Sequence, residues 1–369
     1  MAASTRALPL EGARTLSGAD ASSAFDYAVL AAIAWFIGGL LIDGWAHNNL
    51  DLSKEGFFTP YHAVFYSGFA AVASVVLLRT WRNRKAGASL VEAVPRGYVT
   101  TLVGLGIFAV GGVLDMTWHI VFGVEQDIEA LYSPTHLILA IGIGSILCGP
   151  IRSVELRAPA RSWRAQLPAI AAIVLFATIA SFFFMWAFGT AAGNGANPKV
   201  VFPSLGAAAL STLRDYQIQH GITAIVIRSF IFIAPLIWAV RRFAVPRGAL
   251  ALAIFFPAVA IGTMLSPSLD FVGLQAASAL VAALVAEVLY ARLPGIGTAP
   301  IPTRIFGAAV PFAFWATYMP VSWVVAGGLW WSPHVVYGAP VIAALSGLVL
   351  ALVLERPAVS NARAPGLAA

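Results

Sequence analysis

A single cysteine, Cys148, stands among 369 residues. One thiol cannot close an intramolecular disulfide, nor can it assemble a Cys-rich zinc or iron–sulfur site. Charge is scarce as well: Asp, Glu, Lys and Arg together make up 10%, against about 25% in a soluble domain. No P-loop, GxGxxG, CxxC or Ser-His-Asp pattern occurs, so the usual sequence signs of nucleotide binding and serine hydrolysis are missing. Histidine is also rare, with six in the whole chain.

What fills the chain is apolar, at 60% of residues. That composition overrides the two or three soluble domains that the length would allow. It predicts an all-α, polytopic membrane bundle. Apolar stretches long enough to span occur at 27–47, 61–80, 98–122, 134–153, 167–188, 219–240, 248–266, 270–291, 305–326 and 335–354. About ten transmembrane helices are therefore expected. With the N-terminus inside, all but Lys54, Lys199, Arg214 and Arg228 of the 22 Lys and Arg fall on the inner side. The positive-inside rule then places both termini in the cytoplasm, most naturally of a bacterial inner membrane. It also accounts for the net charge of +6 without a nucleic-acid partner.

This reading divides the chain into a cytoplasmic tail at 1–26, a four-helix region at 27–153, a six-helix region at 154–355 and a second tail at 356–369. The longest outer segment is 189–218. Its latter part, from Phe202 to Tyr216, reads either as a short interfacial helix or as a cap over the helix ends.

The four-helix region carries a polar pattern twice. Asp43-Gly-Trp-Ala-His47 is followed by Glu55 and by Thr59-Pro60-Tyr61-His62. Asp115-Met-Thr-Trp-His119 is followed by Glu129 and by Ser133-Pro134-Thr135-His136. Asp and His at i and i+4 share one helical face. The second His follows a hydroxyl N-cap and a proline suited to the first helical turn. Each hairpin therefore aims two imidazoles and one carboxylate at a common depth. This is an open three-ligand set for copper, iron or zinc. Each copy alone also fits a packed, hydrogen-bonded polar group. The repetition and the high cost of ionisable groups within a membrane favour a functional role. Glu55 and Glu129 read as supporting partners of the ligands, or as solvated loop acids.

Asp-x-x-x-His followed by Phe58-Thr59-Pro60-Tyr61-His62 and Phe65-Tyr66 resembles a copper-binding membrane subunit of the copper membrane monooxygenases, over residues 40–140 at most. Those enzymes oxidise methane, ammonia or short hydrocarbons. The resemblance implies copper at Asp43, His47 and His62 and at Asp115, His119 and His136. It also implies dioxygen chemistry on a small apolar substrate, with partner membrane subunits or a homo-oligomer. A metal-handling or transport protein, or a non-catalytic subunit of a larger complex, is the competing class.

Outside the pattern, His220 and His334 read as packing or interfacial residues. Arg228 is expected to pair with Asp270 or Glu287. Trp45, Trp118, Trp330 and Trp331 fit an interfacial aromatic belt.

Overall fold

The computed structural model describes residues 23–51, 56–123, 128–157, 161–188, 204, 206–266, 268–326 and 328–355. Most of the expected N-terminal tail, the C-terminal tail, Glu55 and most of the expected outer segment up to 205 lie outside them. Among the described residues every regular element is helical. In chain order they are α1 (Ser23–Asn49), α2 (Pro60–Lys85), α3 (Leu90–Ala93), α4 (Val99–Phe122), α5 (Glu129–Tyr132), α6 (Pro134–Glu155) and α7 (Trp163–Phe183). Then follow α8 (Ala207–Arg242), α9 (Ala249–Leu265), α10 (Leu269–Arg292), α11 (Pro300–Ala326) and α12 (Pro333–Val353).

Nine of the described helices are long and apolar enough to cross a membrane. The remaining expected span corresponds to α9, an apolar helix of 17 residues. One difference from expectation concerns α8, which is 36 residues long and begins at Ala207 rather than near 219. Nothing between Ala207 and Gln219 breaks a helix, and Thr212 bonds back to the Ala208 carbonyl. At 1.5 Å per residue α8 reaches about 54 Å, well beyond a hydrocarbon core of about 30 Å.

Two apolar cores form, one per half of the chain. In the first, α1 crosses α2 and α4 crosses α6 at glycines. A side chain on Gly68 would begin 2.4 Å from the Cα of Phe36, and one on Gly142 would begin 2.9 Å from the amide of Phe108. Small residues at such crossings let backbones approach where lipid gives helices no hydrophobic incentive to associate. The rings of Phe36 and Phe108 then meet edge to face at 4.9 Å, joining the two hairpins. The second core is built from α7 to α12, and α7 contributes to both.

The end where α1 starts is fastened by a residue that periodicity does not single out. Asp26 is fully buried and accepts hydrogen bonds from Tyr98 at 2.6 Å, from Ser153 at 3.1 Å, and from Arg157. A buried carboxylate with this many donors is a staple between α1, α4 and α6 rather than an orphan charge. The opposite end, where α1 and α4 finish and α2 and α6 begin, carries the histidines.

Candidate metal centres

Local sequence positions each ligand before packing does. At the start of α2 the Thr59 hydroxyl accepts the His62 backbone N–H at 3.0 Å and lies 3.2 Å from His62 Nδ1. At the start of α6 the Ser133 hydroxyl accepts the His136 backbone N–H at 3.4 Å and lies 2.7 Å from His136 Nδ1. One hydroxyl therefore caps the helix and turns the ring, so that Nε2 faces the carboxylate of the preceding helix. His62 Nε2 is 3.5 Å from Asp43 Oδ2, and His136 Nε2 is 3.4 Å from Asp115 Oδ1. His119 reaches Asp115 Oδ2 at 3.5 Å from its own helix, four residues on.

Asp43, His47 and His62 form one group and Asp115, His119 and His136 another. Within each group the donor atoms all lie within 4.8 Å of one another. The spacing is close enough for one cation per group, and an N,N,O donor set suits copper, iron or zinc. Asp43 supplies a separate indication: its Oδ1 is buried with no hydrogen-bond partner. A carboxylate oxygen left so is costly unless a cation meets it. The residues fit a metal.

The groups are neighbours. Phe57 stacks on His62 at 5.1 Å between ring centres and lies 5.9 Å from His119. Both groups line one cavity of about 100 Å³, walled otherwise by apolar side chains such as Leu40, Phe65, Leu139, Ile143 and Phe182. That volume admits several waters or a molecule of a few heavy atoms. Tyr66 also lines it, with a buried hydroxyl that has no partner.

All six expected ligands are thus brought together as two threes. Glu129 is exposed at the start of α5 and belongs to neither metal-capable group among the described residues. His220 stacks on Trp186 at 4.9 Å, and His334 is exposed. Two participants escape pattern reading. Thr135 donates to Asp115 Oδ1 at 2.8 Å, and Phe57 fills the space between the groups. Thr135 is the variable residue between proline and histidine, where the first copy has Tyr61, so its position was visible although its role was not.

Two other expectations change. Arg228 pairs with neither acid: Asp270 is exposed, and Glu287 accepts the N–H groups of Leu250 and Ala251 at the start of α9. A carboxylate there satisfies otherwise open donors and matches the helix dipole. Trp331 is buried against Gly221 rather than lying in a belt. No family model, no curated protein and no solved structure matches the chain.

Proposed function

We propose that this chain is a multi-pass protein of the cell membrane that holds copper, or iron, at the two Asp/His/His groups and oxidises a small apolar substrate with dioxygen. The supporting observation is that six ligand-type side chains from four helices gather as two groups on the wall of one small, largely apolar cavity. The copper and oxygenase parts of the reading rest on the resemblance of residues 40–140 to the copper membrane monooxygenases.

When bound, the metal supplies Lewis acidity and a redox partner for dioxygen. The chain's residues do the remainder. Asp43 and Asp115 bring negative charge to the ligand groups, and Thr59 and Ser133 set the ring orientation of His62 and His136. Leu40, Phe65, Leu139 and Ile143 keep bulk water out and favour an apolar guest. Three protein ligands per metal leave room for such a guest or for water.

In this reading α9 is a tenth span, since its 17 residues reach about 25 Å. Both termini then lie in the cytoplasm and the ligand groups near the outer face, as the Lys and Arg distribution favours. Lipid, a partner membrane protein or a second copy covers the apolar outer faces of α2 and α4. A reporter fused near residue 88 should read as cytoplasmic.

Metal analysis of protein purified after metal-replete growth is the direct test, with up to one equivalent of copper or iron expected per group. Absence of copper, iron and zinc ends the metal reading. Metal present without substrate-dependent oxygen consumption, but with metal uptake into proteoliposomes, moves the protein to the metal-handling class.

A further inference from the structure

The six-helix half holds a buried cation for which the metal centres have no use. Arg228, midway along α8, has no exposed surface. Its guanidinium carbon lies 3.9 Å from the ring centre of Phe188, 4.8 Å from Phe314, 5.3 Å from Trp315 and 5.5 Å from Phe232. Nη2 donates to Gln275 Oε1 at 2.8 Å, while Nε and Nη1 are buried with no acceptor. Aromatic faces attract the charge but do not accept the remaining in-plane N–H bonds of a guanidinium. No carboxylate among the described residues pairs with it, and residues 189–205, which follow Phe188, contain no Asp or Glu. An ionised group in this position calls for a counter-charge.

The other orphans nearby are donors too. Trp315 Nε1 and Ser322 Oγ on α11, and Trp331 Nε1 just before α12, are buried without partners. Trp315 and Ser322 are two turns apart on one face of α11. Trp331 sits over Gly221, where an added Cβ would come 2.1 Å from its ring. Gly221 lies two turns before Arg228 on the same face of α8, roughly 10 Å along the axis. Unpartnered donors therefore run beside α8 and α11 from Trp331 down to the guanidinium, with no acid among them. The complement of one positive charge, several donors and aromatic walls is an acceptor carrying one negative charge and shedding water easily.

We propose that Arg228 is the centre of an anion site in the second half of the bundle, taking a small monovalent anion such as nitrate or a halide. The site is independent of the two Asp/His/His groups. Thermal unfolding of the full chain in detergent, titrated with sodium nitrate against sodium sulfate at equal ionic strength, is the test. Nitrate should raise Tm saturably and sulfate should not, because only a ligand of the native state shifts the midpoint with its concentration. Arg228→Met should abolish that response while leaving metal content unchanged. No nitrate response in the parent protein, or an equal response in Arg228→Met, overturns the proposal. Should that variant fail to fold, Trp315→Phe keeps the ring and removes one donor. It should weaken the nitrate midpoint about tenfold, the loss typical of one hydrogen bond to a charged group. An unchanged midpoint overturns the proposal equally.

Discussion

Asp115 and Asp43 occupy equivalent places in the two hairpins, but their surroundings differ. Both oxygens of Asp115 are engaged, by Thr135, His119 and His136. Asp43 has His62 on one oxygen and no hydrogen-bond partner on the other. The cause is a single residue. Proline at the first turn is followed by Thr135 in the second hairpin and by Tyr61 in the first, and only threonine places a hydroxyl on the carboxylate. The second group is therefore ordered by the chain alone. The first is left with an open valence, and the two should respond differently when metal or neighbours are removed.

The largest effect should come from the ligands themselves. Replacing any of Asp115, His119 or His136 by Ala should remove most of one metal equivalent and leave the other, with the converse result for Asp43, His47 and His62. Metal content measured on all six variants checks this. If every variant lowers both equivalents together, the shared cavity holds one joint site and the comparison breaks.

Helix crossing comes next. Gly68→Ala would place Cβ 2.4 Å from the Phe36 backbone, and Gly142→Ala would place it 2.8 Å from Phe108 Cβ. Backbone cannot yield as a side-chain tip can, so each should cost roughly 1–3 kcal/mol, Gly68→Ala the more. Unfolding in detergent reads the difference. An unperturbed Gly68→Ala would contradict the close approach of α1 and α2.

Thr135→Val sharpens the contrast between the carboxylates. In metal-free protein it strands a buried Asp115 oxygen and should cost about 1.5–3 kcal/mol. It should also weaken metal binding at the second group by roughly 10–100-fold, as loss of a ligand's supporting hydrogen bond does elsewhere. Asp43→Asn should leave metal-free stability near the parent value, because the oxygen it alters has no partner to lose. Comparable destabilisation by both would show that Asp43 is held as firmly as Asp115.

The smallest shifts belong to the caps. Thr59→Ala and Ser133→Ala should each cost about 1 kcal/mol, the ordinary value of a hydroxyl N-cap. The loss of metal affinity should be greater for Ser133→Ala, since its hydroxyl lies 2.7 Å from the His136 ring against 3.2 Å for Thr59 and His62. Isothermal titration of the two variants with copper gives the order. Equal losses would mean that capping, rather than ring orientation, accounts for the effect.

Much of the candidate site is legible in the chain because its rules are local. A helix period brings Asp43 to His47 and Asp115 to His119, and a hydroxyl-Pro-x-His start fixes where the returning imidazole points. The apolar stretches likewise announce their helices, since a bilayer demands about 20 residues whose backbone bonds are satisfied internally. The beginning of α8 was less legible. Polar residues from Ser211 to Gln219 look like a loop by composition, yet nothing among them stops a helix already running.

What depends on contacts between distant segments is absent from any local pattern. The joining of two ligand groups on one cavity needs α1, α2, α4 and α6 to cross at Gly68 and Gly142, which no spacing rule predicts. The engagement of Asp115 by Thr135 is a contact between helices, as is the abandonment of Asp43 Oδ1. Arg228 shows the same limit. Sequence identifies a costly cation in a span and offers two acids for it, but only packing decides that Glu287 caps α9 while the guanidinium is left among Phe188, Phe314 and Trp315. The physical reason is common to all three cases. Helix periodicity and capping act within a few residues, whereas partners for buried polar groups are chosen by which helices touch.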